Sequence, residues 1–327
     1  MKKLLSILLC AAMVLSLCSL SALAADGDKH TVAYCIPTMA DAYVASQVEA
    51  LQNYYKDNPN VDVVVAECGG NQVTQIEQIE NYAAMGADVI IVMPTNPFGM
   101  EVAVDNARAA GSKVMFQAVG PDTEIDVLAT TDNDAVGRAT AGMALAWLDE
   151  AYPDAEEGSV HAAIFISNEL PILQARTQGI QRTLEADPRV SLTYINEGTA
   201  DTSNAQSEIE NAFTADPDIK FICAWTDDYG TAFDAVVLSK GLDVAQYGAF
   251  TAGVTDAGLE LIDLSKDDES PMRGTVNYLA YELGQVADWM MEGSIDMPTV
   301  LFDEIEIISS FGYEFDPAVG ATEEPAA

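Results

Sequence analysis

Short apolar runs alternate with amphipathic segments along most of the chain, and this alternation limits the available folds more than any other feature. Val89–Met93 is apolar at every position, and Thr31–Ile36, Val61–Ala66 and Lys113–Phe116 are largely so. Between them, Tyr43–Lys56 carries Val44, Val48, Leu51 and Tyr55 at helical spacing. Val73–Met85 does the same with Ile76, Ile79 and Tyr82, and Met100–Ala110 gives a third helix. A strand with no polar face needs cover on both sides, so the pattern predicts an α/β fold with a parallel sheet between helical layers.

The pattern then starts again. Val160–Ile166, Leu192–Ile195, Phe221–Ala224 and Tyr247–Phe250 read as strands, separated by helices at Leu173–Ala186, Ser203–Phe213 and Thr231–Ser239. Ile79-Glu80-Asn81 precedes one strand by the same spacing as Ile209-Glu210-Asn211 precedes another, and Asn96 and Thr226 fall at equivalent points beyond. Two similar lobes are the simplest account. The remaining pieces, a strand at Gly274–Asn277, a helix at Leu279–Met291 and a strand at Val300–Ile308, imply that the chain crosses back between lobes. The expected division is 30–131 plus 279–298 for one lobe and 132–277 plus 300–311 for the other. The stretch from Glu314 to the end lacks periodicity and is expected to be disordered.

Lys2-Lys3, the apolar run Leu4–Leu20 and Ala22-Leu23-Ala24 form a secretory signal peptide over residues 1–24, with a retained signal anchor as the alternative. Cys18 follows Leu17 and Cys10 follows Leu9, which disfavours lipid anchoring. Lys2 and Lys3 leave with the leader and no acid does, so 12 Lys+Arg face 52 Asp+Glu in the mature chain, a net charge of −40. That surface repels nucleic acid and anionic membrane and favours solubility. Cys35, Cys68 and Cys223 remain after cleavage, each in or ending an apolar run. They read as buried free thiols, with a Cys35–Cys68 bridge left open.

Catalytic and metal signatures are absent from the sequence. His30 and His161 are the two histidines, and neither has a second ligand at metal-binding spacing. No G-x-S-x-G, G-x-x-x-x-G-K-[ST] or G-x-G-x-x-G occurs, and no cofactor is expected. Thr131-Asp132-Asn133-Asp134 reads as a helix start, with Asp132 or Asn133 as the cap.

In open α/β sheets ligands bind beyond the carboxyl ends of the strands. Here those ends carry Asp41, Tyr43, Asn96, Gln117, Asn168, Trp225, Thr226, Asp227 and Thr251, with Tyr278 at the end of a later strand. Arg176 follows the Asn168-Glu169 loop and is one of few cations. Aromatic faces with amides and hydroxyls suit a neutral polar ligand and lack a nucleophile–base pair. Alternatives stand for several: Asp227 as a helix N-cap, Trp225 and Tyr43 as packing residues.

The order of elements resembles the type I periplasmic binding protein family, the ribose/galactose group of ABC-transporter receptors. The resemblance covers His30–Ile308 and is carried by Asp41-Ala42-Tyr43, NQVTQIEQIENYAAMGADVIIVMPTNP, TTDNDAVGRATAG and ARTQGIQRTL. It implies two Rossmann-like lobes joined by a three-strand hinge and closing over a ligand. It implies an acid and a stacking aromatic at Asp41 and Tyr43, and a ligand-contacting Arg at Arg176. The sequence departs from the family at Thr226, Thr251, Ala200 and Gln117-Ala118, and the family's calcium loop is missing. The expectation is a monomeric extracytoplasmic receptor, not an enzyme, that takes a monosaccharide or similar small polar ligand to an ABC permease. A sensor for a nucleoside or autoinducer-like molecule and a secreted hydrolase are the alternatives.

Overall fold

The structure, a computed structural model, describes residues 29–40, 42–167, 171–198 and 204–318. The expected signal peptide lies outside them. The chain divides into two compact units, Met1–Ala129 with Tyr281–Leu301, and Thr130–Ala280 with Phe302–Ala327, so it passes between units three times.

In the first unit β1 (His30–Ile36), β2 (Val61–Glu67), β3 (Val89–Val92), β4 (Lys113–Gln117) and β5 (Val127–Thr130) are joined by β11 (Thr299–Phe302) from the end of the chain. The sheet order is β11-β5-β4-β3-β1-β2. Alternation within strands settles which helix covers which face. Val32, Tyr34, Ile36, Val89 and Ile91 pack with Val44, Val48 and Leu51 of α1 (Ala42–Tyr55) and with Val286 and Met290 of α9 (Leu283–Glu292). Ala33, Cys35, Ile90 and Val92 pack instead with Ile79 of α2 (Gln72–Ala84) and Val104 of α3 (Glu101–Ala109). Both faces are dry, which is why the strands carry no polar alternation.

The second unit repeats the plan with β6 (Val160–Ser167), β7 (Val190–Gly198), β8 (Ile219–Ala224), β9 (Gly248–Ala252), β10 (Met272–Leu279) and β12 (Glu304–Ser309), in the order β12-β10-β9-β8-β6-β7. One face takes α4 (Asn133–Ala151) and α5 (Pro171–Glu185); the other takes α6 (Ala205–Ala215) and α7 (Asp227–Ser239). Ile79 and Ile209, the first residues of the repeated triplet, are both fully buried, under β3 and β8 respectively. A further helix, α8 (Asp256–Leu264), is started by Thr255, whose hydroxyl accepts from the Gly258 amide.

Three expectations need correcting at the end of the chain. Val300–Ile308 is two strands, not one. β11 lies in the first unit's sheet and β12 in the second's, and the break at Asp303 is held by its N–H to Thr130 O and its carboxylate to the Thr131 hydroxyl. β12 runs antiparallel to β10, the one departure from parallel pairing among the described ladders. Residues 314–318 are not loose. Phe311 meets Phe250 edge-on, the Arg138 guanidinium lies 5.5 Å over the Phe315 ring, and Arg138 Nη1 donates to Pro317 O at 2.9 Å. Aromatics spaced two apart pin this strap to α4 without any helical or strand period to announce it.

All three cysteines in the described residues are free and buried, with no Cys35–Cys68 bridge.

Candidate ligand-binding site

In the second unit the polar groups gather at the carboxyl ends of β6, β8, β9 and β10, and the crossing of α4 and α5 sets their geometry. A Cβ at Gly137 would stand 2.1 Å from Arg176 O, and one at Gly179 would stand 2.5 Å from Asp134 O. Only glycine lets the two backbones touch there. This close crossing brings Arg176 of α5 against the start of α4. Asp132 caps that helix by accepting from the Ala135 amide at 2.9 Å, and Asn133 is thereby free for another task.

Asn133 Oδ1 accepts from Arg176 Nε at 3.1 Å and from Nη2 at 2.7 Å, while its Nδ2 donates to Thr131 O. Arg176 Nη1 donates to Trp225 O at 2.9 Å, and the guanidinium carbon lies 5.3 Å from the centre of the Tyr278 ring. Arg176, Trp225 and Tyr278, each picked out from sequence, are therefore brought together. Asn133 was legible only as a helix start. Burial pushes the Arg176 guanidinium below its usual pKa, with Tyr278 opposing the shift.

Asp227 and Thr251 are bonded to each other instead of standing open. Asp227 is fully buried at the first turn of α7, and Thr226, not Asp227, occupies the cap position. Its Oδ1 accepts from the Thr251 and Thr275 hydroxyls, both at 2.6 Å, and its Oδ2 from the Thr255 amide at 3.0 Å. Burial holds this carboxyl above the ordinary carboxylate range in spite of those bonds. The carboxylate ties β9, β10 and the start of α8 together, and Thr226 sits half-buried beside it.

In the first unit Gln117 ends β4 and is buried. Its Oε1 accepts from the Tyr34 hydroxyl at 2.7 Å, and its Nε2 donates to Gln47 Oε1 at 3.2 Å. The next residue, Ala118, has φ +71°, a left-handed conformation that a non-glycine residue holds only under constraint. Asn96 is exposed and accepts from the Phe98 amide at 3.1 Å. Gln75, fully buried, donates to Cys35 O and Met93 O and accepts from the Thr95 amide, so it fixes the loop that carries Asn96. The backbone of Tyr43 lies in α1; Asp41 and Asn168 lie outside the described residues.

At the opposite ends of the strands, His161, Asp216 and Asp218 place one ligand atom each within 4.8 Å of one another. His161 Nδ1 lies 2.8 Å from Asp216 Oδ2, and His30 Nδ1 lies 3.0 Å from Asp88 Oδ1 at the matching place in the first unit. Repetition of the pair in both sheets fits a strand-end tie that the two lobes share.

A family model described as a periplasmic binding protein domain matches residues 32–295. The D-xylose-binding periplasmic protein of Escherichia coli (strain K12) is 35% identical over 80 residues, 24% of this chain and 24% of that relative, so this match spans well under two thirds of its length. The ribose import binding protein RbsB of Bacillus subtilis (strain 168) is 20% identical over 226 residues, 68% of this chain and 71% of that one. A solved sugar-binding protein of a sugar ABC transporter from Bacillus halodurans superimposes with a TM-score of 0.68 at 16% identity, covering 86% of this chain and 98% of its own, and shows the shared fold. With two parallel-sheet units, three crossings and a match over most of its length, the chain belongs to the periplasmic binding protein family.

Proposed function

We propose that this chain is the extracytoplasmic substrate-binding component of an ABC importer and captures a monosaccharide or a similarly sized polyol. The observation that carries the reading is the Arg176 cluster, a fixed donor beside an aromatic face at the carboxyl ends of the strands. The family and the named cargoes of its relatives, D-xylose and ribose, support a sugar-sized ligand. No described helix is long and apolar enough to cross a membrane, in keeping with delivery to a separate permease. The role is capture without catalysis, because Arg176, Trp225 and Tyr278 offer donors and a ring but no nucleophile with its base.

In this proposal Arg176 and Trp225 engage the ligand, and the ligand-bound form is the signal that a permease reads. A ligand that makes more contacts in one form of the protein shifts the balance toward that form. A thermal-shift screen of pentoses, hexoses, inositols and nucleosides tests the reading. Ligand at about 100 times its Kd adds about 2.7 kcal/mol to the native state. A rise in Tm with a sugar or inositol is expected. A rise with nucleosides alone would favour a sensor of that class, and no rise with any sugar would refute the sugar reading.

A further inference from the structure

The six arginines of this chain are not treated alike. Arg108, Arg138, Arg182, Arg189 and Arg273 each have a carboxylate oxygen within 3.0 Å, from Glu124, Asp134, Asp134 again, Asp187 and Asp268 respectively. Acids are abundant, 52 against 14 basic residues, so a counter-ion is easy to supply. Arg176 is the exception: among the described residues no carboxylate pairs with it. It is only 5% exposed, and its partners are an amide oxygen, a peptide oxygen and an aromatic ring.

A buried cation without an anion is unfavourable by several kcal/mol unless something neutralises it. Hydrogen bonds to neutral oxygens hold the guanidinium in place without cancelling its charge. Asn133 is the telling residue, because aspartate at that position would keep the same oxygen and add the missing charge. Asn133 takes two of the five N–H groups of Arg176 and Trp225 O takes one, and the Tyr278 side chain also hydrogen-bonds the guanidinium, so all of its described partners are neutral. A guanidinium is the side chain whose charge and donor geometry best suit a carboxylate.

We infer that the anion is brought by the ligand, and that the chain captures a small polyhydroxylated carboxylate, a sugar acid, with Arg176 as the residue that reads the carboxylate. This rests on the sugar-receptor reading above and narrows its ligand class. The downward push that burial exerts on the Arg176 pKa agrees with a charge that no described carboxylate compensates. The acidic surface does not oppose it at short range, since charges beyond about 8 Å are screened at physiological ionic strength.

The test is calorimetric titration of the mature protein with D-galacturonate, D-glucuronate and D-gluconate, and with D-galactose, D-glucose and D-xylose as neutral counterparts. At least one acid is expected to bind about tenfold or more tightly than its neutral counterpart, the ratio a charge-assisted contact supplies. Arg176→Gln should erase that ratio, and Arg176→Lys should keep part of it. Should Arg176→Gln fail to fold by circular dichroism, Asn133→Asp serves instead: it neutralises the guanidinium where it stands and should also erase the preference. Neutral sugars binding as well as the acids, or better, would overturn the inference and leave the sugar-receptor reading intact. An acid preference that survives Arg176→Gln or Asn133→Asp would overturn it as well. If neither acids nor neutral sugars bind, both readings fall together.

Discussion

Replacing Gly137 by alanine sets two effects of opposite sign against each other. Gly137 lies inside α4, where glycine is worse than alanine by about 1 kcal/mol on helix propensity alone. Propensity therefore predicts a stabler variant. The added methyl, however, would stand 2.1 Å from Arg176 O and 3.0 Å from both the Arg176 carbonyl carbon and the Ile180 nitrogen. A carbon–oxygen contact needs about 3.3 Å, so the two helix backbones must part by roughly 1 Å. Overpacking of this kind costs about 1–3 kcal/mol, and backbone against backbone has no rotamer in which to relax. The net expectation is a loss of up to about 2 kcal/mol once the propensity gain is subtracted. Urea denaturation followed by circular dichroism measures it, as a lower midpoint with an unchanged slope. The same displacement draws Arg176 away from Asn133, so ligand affinity should fall with stability. A midpoint equal to or above that of the parent would refute the claim that the α4–α5 crossing depends on this glycine.

Asp227→Asn keeps one oxygen for Thr251 and Thr275 but turns an amide toward the Thr255 N–H, and should cost about 1–3 kcal/mol by chemical denaturation. Because burial raises the Asp227 pKa, the native state retains a proton that the unfolded chain releases above about pH 3.9. Its contribution to stability is thus fullest below that pH and declines as pH rises through the native value; Asp227→Asn should remove this part of the slope in stability–pH titrations. Ending the chain at Phe311 strips Tyr313 and Phe315 from α4 and should lower stability by about 1–3 kcal/mol, with new dye-binding apolar surface as the second readout. Cys35 and Cys223 are fully buried and their thiols are pushed up, Cys35 to about 12, so neither should react with Ellman's reagent until the fold is opened with denaturant.

The two sheets were legible because their central strands are buried on both faces, and burial of that kind leaves an unbroken apolar run such as VIIV in β3. The last strand was not legible as two, since TVLF and EIEIIS are separated by Asp303 alone and a one-residue break carries no turn chemistry. In α8, Gly258 and three acids mute the helical period, yet Gly258 is needed there because a Cβ would stand 2.3 Å from Asp227 Oδ2. Arg176 could be picked out by scarcity, as one cation in an acidic chain. Asn133 could not, because its cap-like setting next to Asp132 hides a side chain turned toward a residue 43 positions away. Asp227 and Thr251 were singled out as separate site residues, and sequence gives no means of seeing that they bond to each other.

The route of the chain through the two units bears on when each can be finished. The sheet of the first unit ends on β11, and that of the second on β12, both drawn from residues 299–309. Neither edge can be completed before residues 299–309 have emerged, whatever the intrinsic speed of its βα units. Synthesis at about 5–20 residues per second outlasts local helix formation by orders of magnitude. A nascent copy therefore waits, with two open sheet edges, for residues 299–309, and both sheets gain their edge strands within the span of about a dozen residues. Late pairing of this sort keeps both sheets short of an edge strand until one brief stretch of chain has been made.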